Sequence, residues 1–370
     1  MYFESSNSER KIYLTTLHAA CGVRTAIKKL YKGLAREGFQ VKIIDLSNSR
    51  LINKIFADHP RLNKKETGAI IYMGSITPLS HLSCSLPKLL FVHGFIKDQA
   101  LKELLYSSPA KDKLLSLAKI IYWNSLNNIR FTGYLCHSLT SMEKNKLPLE
   151  KTVIIPQFLL KEEVKQLISY RKNLHRHIIW KSDKTYIITT YYSNVFSFRL
   201  MPIDILVMLT KKLNSYFSRK GKRVILYLFG KISKKDLSII EPFVKKGYIK
   251  YLGVTSQRDF FKYLVFSDIY LERCLDEEIG YSSLEAGVLG TVIAKITLPA
   301  FYLRSDLSND HAINVVSTSK LLAHLITLLE DEELRHRISK GFLHGYILRK
   351  RLWKHVKEEL ISRLKNVTEG

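Results

Sequence analysis

Acidic residues are scarce in this 370-residue chain: 33 Asp and Glu stand against 59 Lys and Arg, a formal net charge of +26. A surplus of that size favours acidic partners, whether anionic lipid headgroups, nucleic acid or phosphorylated substrates, and says little about fold. Cysteine is scarce too. The four present, Cys21, Cys84, Cys136 and Cys274, include no C-x-x-C pair, which argues against a zinc or redox couple and for reduced, buried thiols. No apolar run approaches the roughly 18 to 20 residues that span a bilayer. The opening MYFESSNSERK is polar rather than of signal-peptide type, so a cytoplasmic location is expected. G-x-G-x-x-G is missing, which removes the dinucleotide fingerprint.

What is present suits two ordinary domains, since the hydrophobic content of 46% is enough for two cores. Short β-rich runs alternate with helical periodicity. Strands are expected at Lys11 to Thr16, Gln40 to Asp45, Ala69 to Met73, Lys88 to Val92, Tyr134 to Cys136 and Thr152 to Phe158. Helical stretches are expected from about Arg24, at Asp98 to Leu105 and at Lys111 to Tyr122. Such alternation predicts an α/β fold with a parallel sheet covered on both faces, whose ligands sit beyond the carboxyl ends of the strands. In the Arg24 helix, Arg24, Lys28, Lys32 and Arg36 recur every fourth residue, with Ile27, Leu30, Tyr31 and Leu34 on another face. That basic stripe is either a solvated face or a peripheral contact with an anionic membrane surface, at the inner face of the membrane.

A basic polar stretch, 161 to 184, reads as a crossover carrying a helix. Its His175 and His177 have no acidic or cysteine neighbours that would suggest a metal site. The second half opens with the strand TYIITT at Thr185. It continues with a helix Ile203 to Tyr216, a strand Arg223 to Phe229, a helix Lys234 to Lys245, a strand Tyr248 to Leu252 and a helix Gln257 to Phe266. The segment Asp268 to Gly290, DIYLERCLDEEIGYSSLEAGVLG, then runs from a strand through an acidic loop and Gly280 into a helix marked by Tyr281, Leu284 and Val288. A strand entering a helix through a glycine turn aims free N–H groups and the positive end of the helix dipole at the loop, a phosphate-site geometry. Glu277 and Glu285, eight positions apart, suit hydroxyl groups beside that phosphate, and a ligand offering both is a nucleotide sugar. Ser282 with Glu285 equally fits a capping box, which needs no ligand. Beyond it come a strand, Thr291 to Lys295, a less regular stretch to Asp310, and helices Lys320 to Leu329, Glu332 to Leu343 and Ile347 to Leu364.

The E-x7-E spacing of Glu277 and Glu285 resembles the signature of the retaining GT-B glycosyltransferases, particularly family 4. The resemblance is closest from Thr185 to Gly290. It implies two Rossmann-like parallel-sheet domains facing a central cleft: residues 1–160 on the acceptor side, a linker 161–184, a nucleotide-sugar domain 185–345, and a C-terminal helix, 346–370, packing back on the first domain. It implies roles as well: Glu285 for ribose hydroxyls and Glu277 for the transferred sugar. His93 lies at the strand end where the family has a histidine near the sugar, and Gly22 matches the glycine loop that approaches the donor phosphates. Gly253 stands where the nucleobase lodges against main chain, and Trp353 where the family has an aromatic residue. The two cations that hold the diphosphate align with Asn194 and Arg199, so one is lost, and Lys231 is the candidate replacement. The proline that closes the first domain remains as Pro156, but Gln157 and Phe158 replace the residues after it, and the Gly-Gly pair and Glu expected after Lys295 are absent.

The chemistry implied is transfer of a sugar from a nucleoside-diphosphate sugar to an acceptor with retention of configuration. Backbone N–H groups at Gly280, Tyr281 and Ser282, with Arg199, would steady the leaving diphosphate. No metal cofactor is expected, and the sequence has no Asp-x-Asp motif of the metal-dependent GT-A kind. Two rival readings are a glycosyltransferase acting on nucleic-acid bases, which the positive charge permits, and a non-catalytic binding module on a decayed GT-B scaffold. A phosphorylase-like enzyme on the same fold lacks its cofactor-lysine motif here.

Overall fold

A computed structural model describes residues 11–16, 21–45, 67–73, 86–92, 117, 131–175, 184–192, 201–273, 275 and 277–369. The chain forms two compact units: Met1–Pro156 with Trp353–Gly370, and Gln157–Leu352. Each holds a six-stranded, wholly parallel sheet.

In the first unit the strands are β1 (Lys11–Thr16), β2 (Gln40–Asp45), β3 (Thr67–Met73), β4 (Lys88–Val92), β5 (Gly133–Cys136) and β6 (Thr152–Ile154). Their spatial order is β2-β1-β3-β4-β5-β6. β4 is buried at every position, which is why it reads as a continuous apolar run instead of an alternating one. Helix Cys21–Arg36 crosses from β1 to β2. It buries Ile27, Leu30 and Leu34, while Arg24, Lys28, Lys32 and Arg36 are exposed, as the periodicity predicts; Tyr31, expected on the apolar face, is 37% exposed. The expected helices at 98–105 and 111–122 lie outside the described residues, Leu117 apart.

The second unit contains β7 (Thr185–Tyr192), β8 (Arg223–Gly230), β9 (Ile249–Gly253), β10 (Ile269–Glu272), β11 (Val292–Ile296) and β12 (Ile313–Val315). Their order is β12-β11-β10-β7-β8-β9. The chain moves outward from β7 through β8 to β9, then returns to the other side of β7 with β10. The direction of winding therefore switches between β7 and β10, and in open α/β sheets the ligand crevice opens at the carboxyl ends beside such a switch. Side chains alternate across this sheet. Ile269, Leu271, Val292 and Ala294 pack with helices Ile203–Phe217 and Thr318–Glu330, whereas Tyr270 and Ile293 pack with helices Lys161–His175, Gln257–Phe266 and Tyr281–Val288.

Residues 161–175, expected in a linker, form a helix of the second unit that packs on the Tyr281–Val288 helix. β12 lies between the less regular stretch to Asp310 and the helix expected from Lys320, where no strand is predicted; three residues are too few to display a period. The single C-terminal helix expected over 347–364 is instead broken into Leu348–Lys350, Trp353–Val356 and Glu358–Glu369. The break has a cause in hydrogen bonding. Leu352 makes a parallel bridge to Leu159, and the Arg351 carbonyl accepts from the Leu159 N–H at 2.8 Å, so this backbone pairs laterally where the chain passes from one unit to the other. Past the break, Trp353 packs where a Gly33 side chain would be, 2.7 Å from the position of a Cβ. Its indole Nε1–H donates to Glu37 at 3.0 Å, and Lys357 Nζ donates to the same carboxylate at 2.7 Å. The return of the chain's end onto the first unit is thus present.

Candidate functional site

The helix Tyr281–Val288 and the loop before it sit at the carboxyl end of β10, beside the switch point. Gly280 is the N-cap, with φ −71° and ψ 158°, an ordinary extended conformation open to any residue. A Cβ there would lie 2.9 Å from Glu272 Oε2, so a larger residue would press on that carboxylate. Glu272, the last residue of β10 and 7% exposed, accepts from the Gly280 N–H at 2.9 Å and from the Ser283 hydroxyl at 2.5 Å. A carboxylate of the protein therefore occupies part of the anion-favouring end of this helix. Ser282 lies inside the helix and Gly280 caps it without a side-chain bond, so the Ser282–Glu285 capping box is not formed.

Glu285 is buried on the second turn and accepts from Gln257 Nε2 at 3.2 Å. Gln257 opens the helix that follows β9 and Gly253. The expected ribose-binding glutamate and the expected nucleobase loop are thereby brought together. On the other side of the helix end, Glu277 is half-buried and Glu278 buried. Lys295 Nζ, from the fully buried Lys295 on β11, donates to the Glu278 carbonyl at 2.6 Å.

A third anchor joins the loop to β7. The Arg273 guanidinium donates through Nε and Nη2 to the Met201 carbonyl, at 2.9 and 2.7 Å, and lies 3.7 Å from the centre of the Tyr192 ring. Burial lowers the Arg273 pKa from its ordinary value. Tyr192 donates to Asp236 at 2.7 Å, and burial together with that hydrogen bond raises its phenol pKa. Sequence reasoning missed Glu272, Arg273, Lys295 and Gln257. The sequence carries no clear signal for Glu272 and Lys295, because a charge at or next to the end of a short strand reads as its solvated edge.

Over nearly the whole length the fold has known counterparts. A glycosyltransferase from Rickettsia africae ESF-5 matches with a TM-score of 0.63 and 14% identity over 98% of this chain and 99% of its own. Sucrose-phosphate synthase from Thermosynechococcus elongatus matches at 0.68 and 11%, over 97% and 99%. Anabaena HepE, solved in complex with UDP and glucose, matches at 0.62 and 13%, over 96% and 100%. The fold is GT-B. No protein-family model and no curated protein matches the sequence.

On the GT-B frame the expected site residues fall into three groups. Glu277, Gly280, Tyr281, Ser282 and Glu285 are together on the loop and helix after β10. The Gly280 N–H, expected to meet a phosphate, is engaged by Glu272, while Tyr281 and Ser282 are half-buried. Lys231 is exposed immediately after β8, and Gly22 lies within the first turn of its helix instead of in a turn before it. His93, Asn194 and Arg199 lie outside the described residues. Among the described residues no three His, Cys, Asp or Glu side chains cluster as metal ligands would.

Proposed function

We propose that this protein is a glycosyltransferase that moves a sugar from a nucleoside-diphosphate sugar, with UDP-sugars as the first donors to test, to an acceptor with retention of configuration and without a metal. The observation that carries the reading is the placement of Glu277 and Glu285 on either side of one helix start, at the carboxyl end of β10 beside the switch between β7 and β10. GT-B counterparts that match along the whole chain add support, as does HepE, whose complex contains UDP and glucose.

In this reading Glu285 accepts hydrogen bonds from ribose hydroxyls, oriented by Gln257, and Glu277 holds the sugar with His93. The Tyr281 and Ser282 amides at the helix start, with Arg199 and Lys231, offset the charge gathering on the departing diphosphate, where a preorganised dipole costs no rearrangement. The Gly280 amide is withdrawn from that task by Glu272, which places more of it on the cations.

The test is titration calorimetry with UDP on the full chain. Glu285→Ala removes a charge-assisted hydrogen bond of about 1.5–3 kcal/mol, so UDP affinity falls about tenfold or more, measured at a temperature where circular dichroism shows the variant folded. Unchanged affinity refutes the ribose role. Release of UDP from a UDP-sugar, with the product anomer assigned by NMR and turnover persisting in a chelator, checks transfer, retention and metal independence in turn. UDP binding with no turnover on any sugar or acceptor favours the non-catalytic binding module.

A further inference from the structure

We infer that Glu272 and Lys295 are positioning residues: a buried pair of opposite charges that fastens the loop carrying Glu277 to the sheet beneath it, so that the sugar-contacting end of the site is set before any ligand arrives. The inference rests on the donor reading above for what Glu277 does, and on geometry alone for how the loop is held.

The two residues are cross-strand partners. Glu272 ends β10 and pairs in register with Lys295 of β11, two residues beyond the pair Tyr270 and Ile293. Tyr270 and Ile293 lie on the sheet face covered by the Tyr281–Val288 helix. With side chains alternating at every residue, Glu272 and Lys295 face the same side. Both are buried, at 7% and 0% exposure. Charges at such depth are costly unless they hydrogen-bond fully, and each makes a bond to the same short segment. Glu272 takes the Gly280 N–H and the Ser283 hydroxyl, fixing where the helix starts. Lys295 takes the Glu278 carbonyl, fixing the residue directly after Glu277. The loop is thereby held at 278 and at 280, from two adjacent strands.

A loop tied at those points presents Glu277 without first having to be ordered. Ordering a backbone position costs conformational entropy, and a tethered loop has met that cost in folding instead of in binding. Lys295→Met keeps the length and apolar stem of the side chain and deletes its donor. The expected consequence is local, reaching the loop but leaving the helix and sheet in place.

Hydrogen–deuterium exchange and calorimetry on the full chain test this together. In Lys295→Met, amides over 277–280 should exchange about tenfold faster or more, as loss of one charge-assisted hydrogen bond implies, while peptides from β10 and from 284–288 keep wild-type protection. UDP affinity should stay within about twofold, and the extra affinity that the preferred UDP-sugar has over UDP should fall about tenfold. Lys295→Arg, which retains a donor, should recover part of both. Ser283→Ala, a milder change that leaves the fold intact, should raise exchange at Gly280 alone. Wild-type exchange over 277–280 in both Lys295→Met and Ser283→Ala overturns the inference. So does a loss of protection spread evenly over the second unit, which would make Lys295 a general stability residue. A wild-type protein that binds neither UDP nor any UDP-sugar refutes the donor reading, and the exchange pattern then still decides whether the pair fastens the loop.

Discussion

Two glutamates in this protein each gather two donors, and their settings differ. Glu37 in the first unit accepts from Trp353 Nε1 and Lys357 Nζ, with the carboxylate side chain 20% and the lysine side chain 29% exposed. Glu272 in the second unit accepts from a backbone N–H and a hydroxyl with almost no water nearby. Water can replace lost partners at the first and has little access to the second. Glu37 therefore fastens the end of the chain in a way that salt and acid can undo, whereas Glu272 is a fixed part of the second unit's architecture. Removing an acceptor from a wet joint costs little, and removing it from a dry one leaves its donors stranded.

The sharpest way to break the contrast is Glu272→Ala. It leaves the Gly280 N–H and Ser283 hydroxyl without their acceptor and Lys295 without its cross-strand counter-charge. A loss of about 3 kcal/mol or more in urea unfolding is expected; a loss below about 1 kcal/mol would put the two glutamates on a par. Gly33→Ala comes next. Its Cβ would stand 2.7–2.9 Å from the Trp353 indole, so overpacking should cost about 1–3 kcal/mol and expose the tail to limited proteolysis. Unaltered proteolysis of residues 353–369 would show that the indole can move aside.

Acid probes the wet joint most gently. Burial tends to raise the Glu37 pKa, but the Lys357 and Trp353 hydrogen bonds and the Lys357 charge outweigh it and hold the carboxyl below its ordinary value. A depressed folded-state pKa contributes stability that is present above the unfolded carboxyl value, about 4.3, and is lost as pH falls through the lower folded value. The Trp353 indole N–H resonance should report that loss in acid. In Glu37→Gln the corresponding transition should vanish, with stability at neutral pH lower by about 1 kcal/mol or less. A transition that survives the substitution belongs to another group.

The same contrast explains what could be read in the sequence. Strands β1, β2 and β4 have the bounds predicted for them, and β4, buried at every position, declares itself by composition. Glu277 and Glu285 fall on the one loop and helix that the sequence predicts for them. Glu272 and Lys295 were not legible, because a charge at or next to the end of a strand reads as its solvated edge. What makes them structural is a set of acceptors and donors 8, 11 and 17 positions away, which only the fold assembles. The broken C-terminal helix was hidden for a similar reason: Leu352 pairs with Leu159, a partner far away in the chain.

The first unit is discontinuous, built from residues 1–156 and 353–370, whereas the second runs without interruption from 157 to 352. During synthesis from the amino end, all of the second unit is therefore made before Trp353 and the helix behind it exist. The earlier-made sheet must wait with the groove beside Gly33 unfilled while its younger neighbour is already able to fold. A chaperone that shields nascent chains would meet its longest-lived target on the older half of this protein, an order opposite to the usual sequence of amino-terminal unit first.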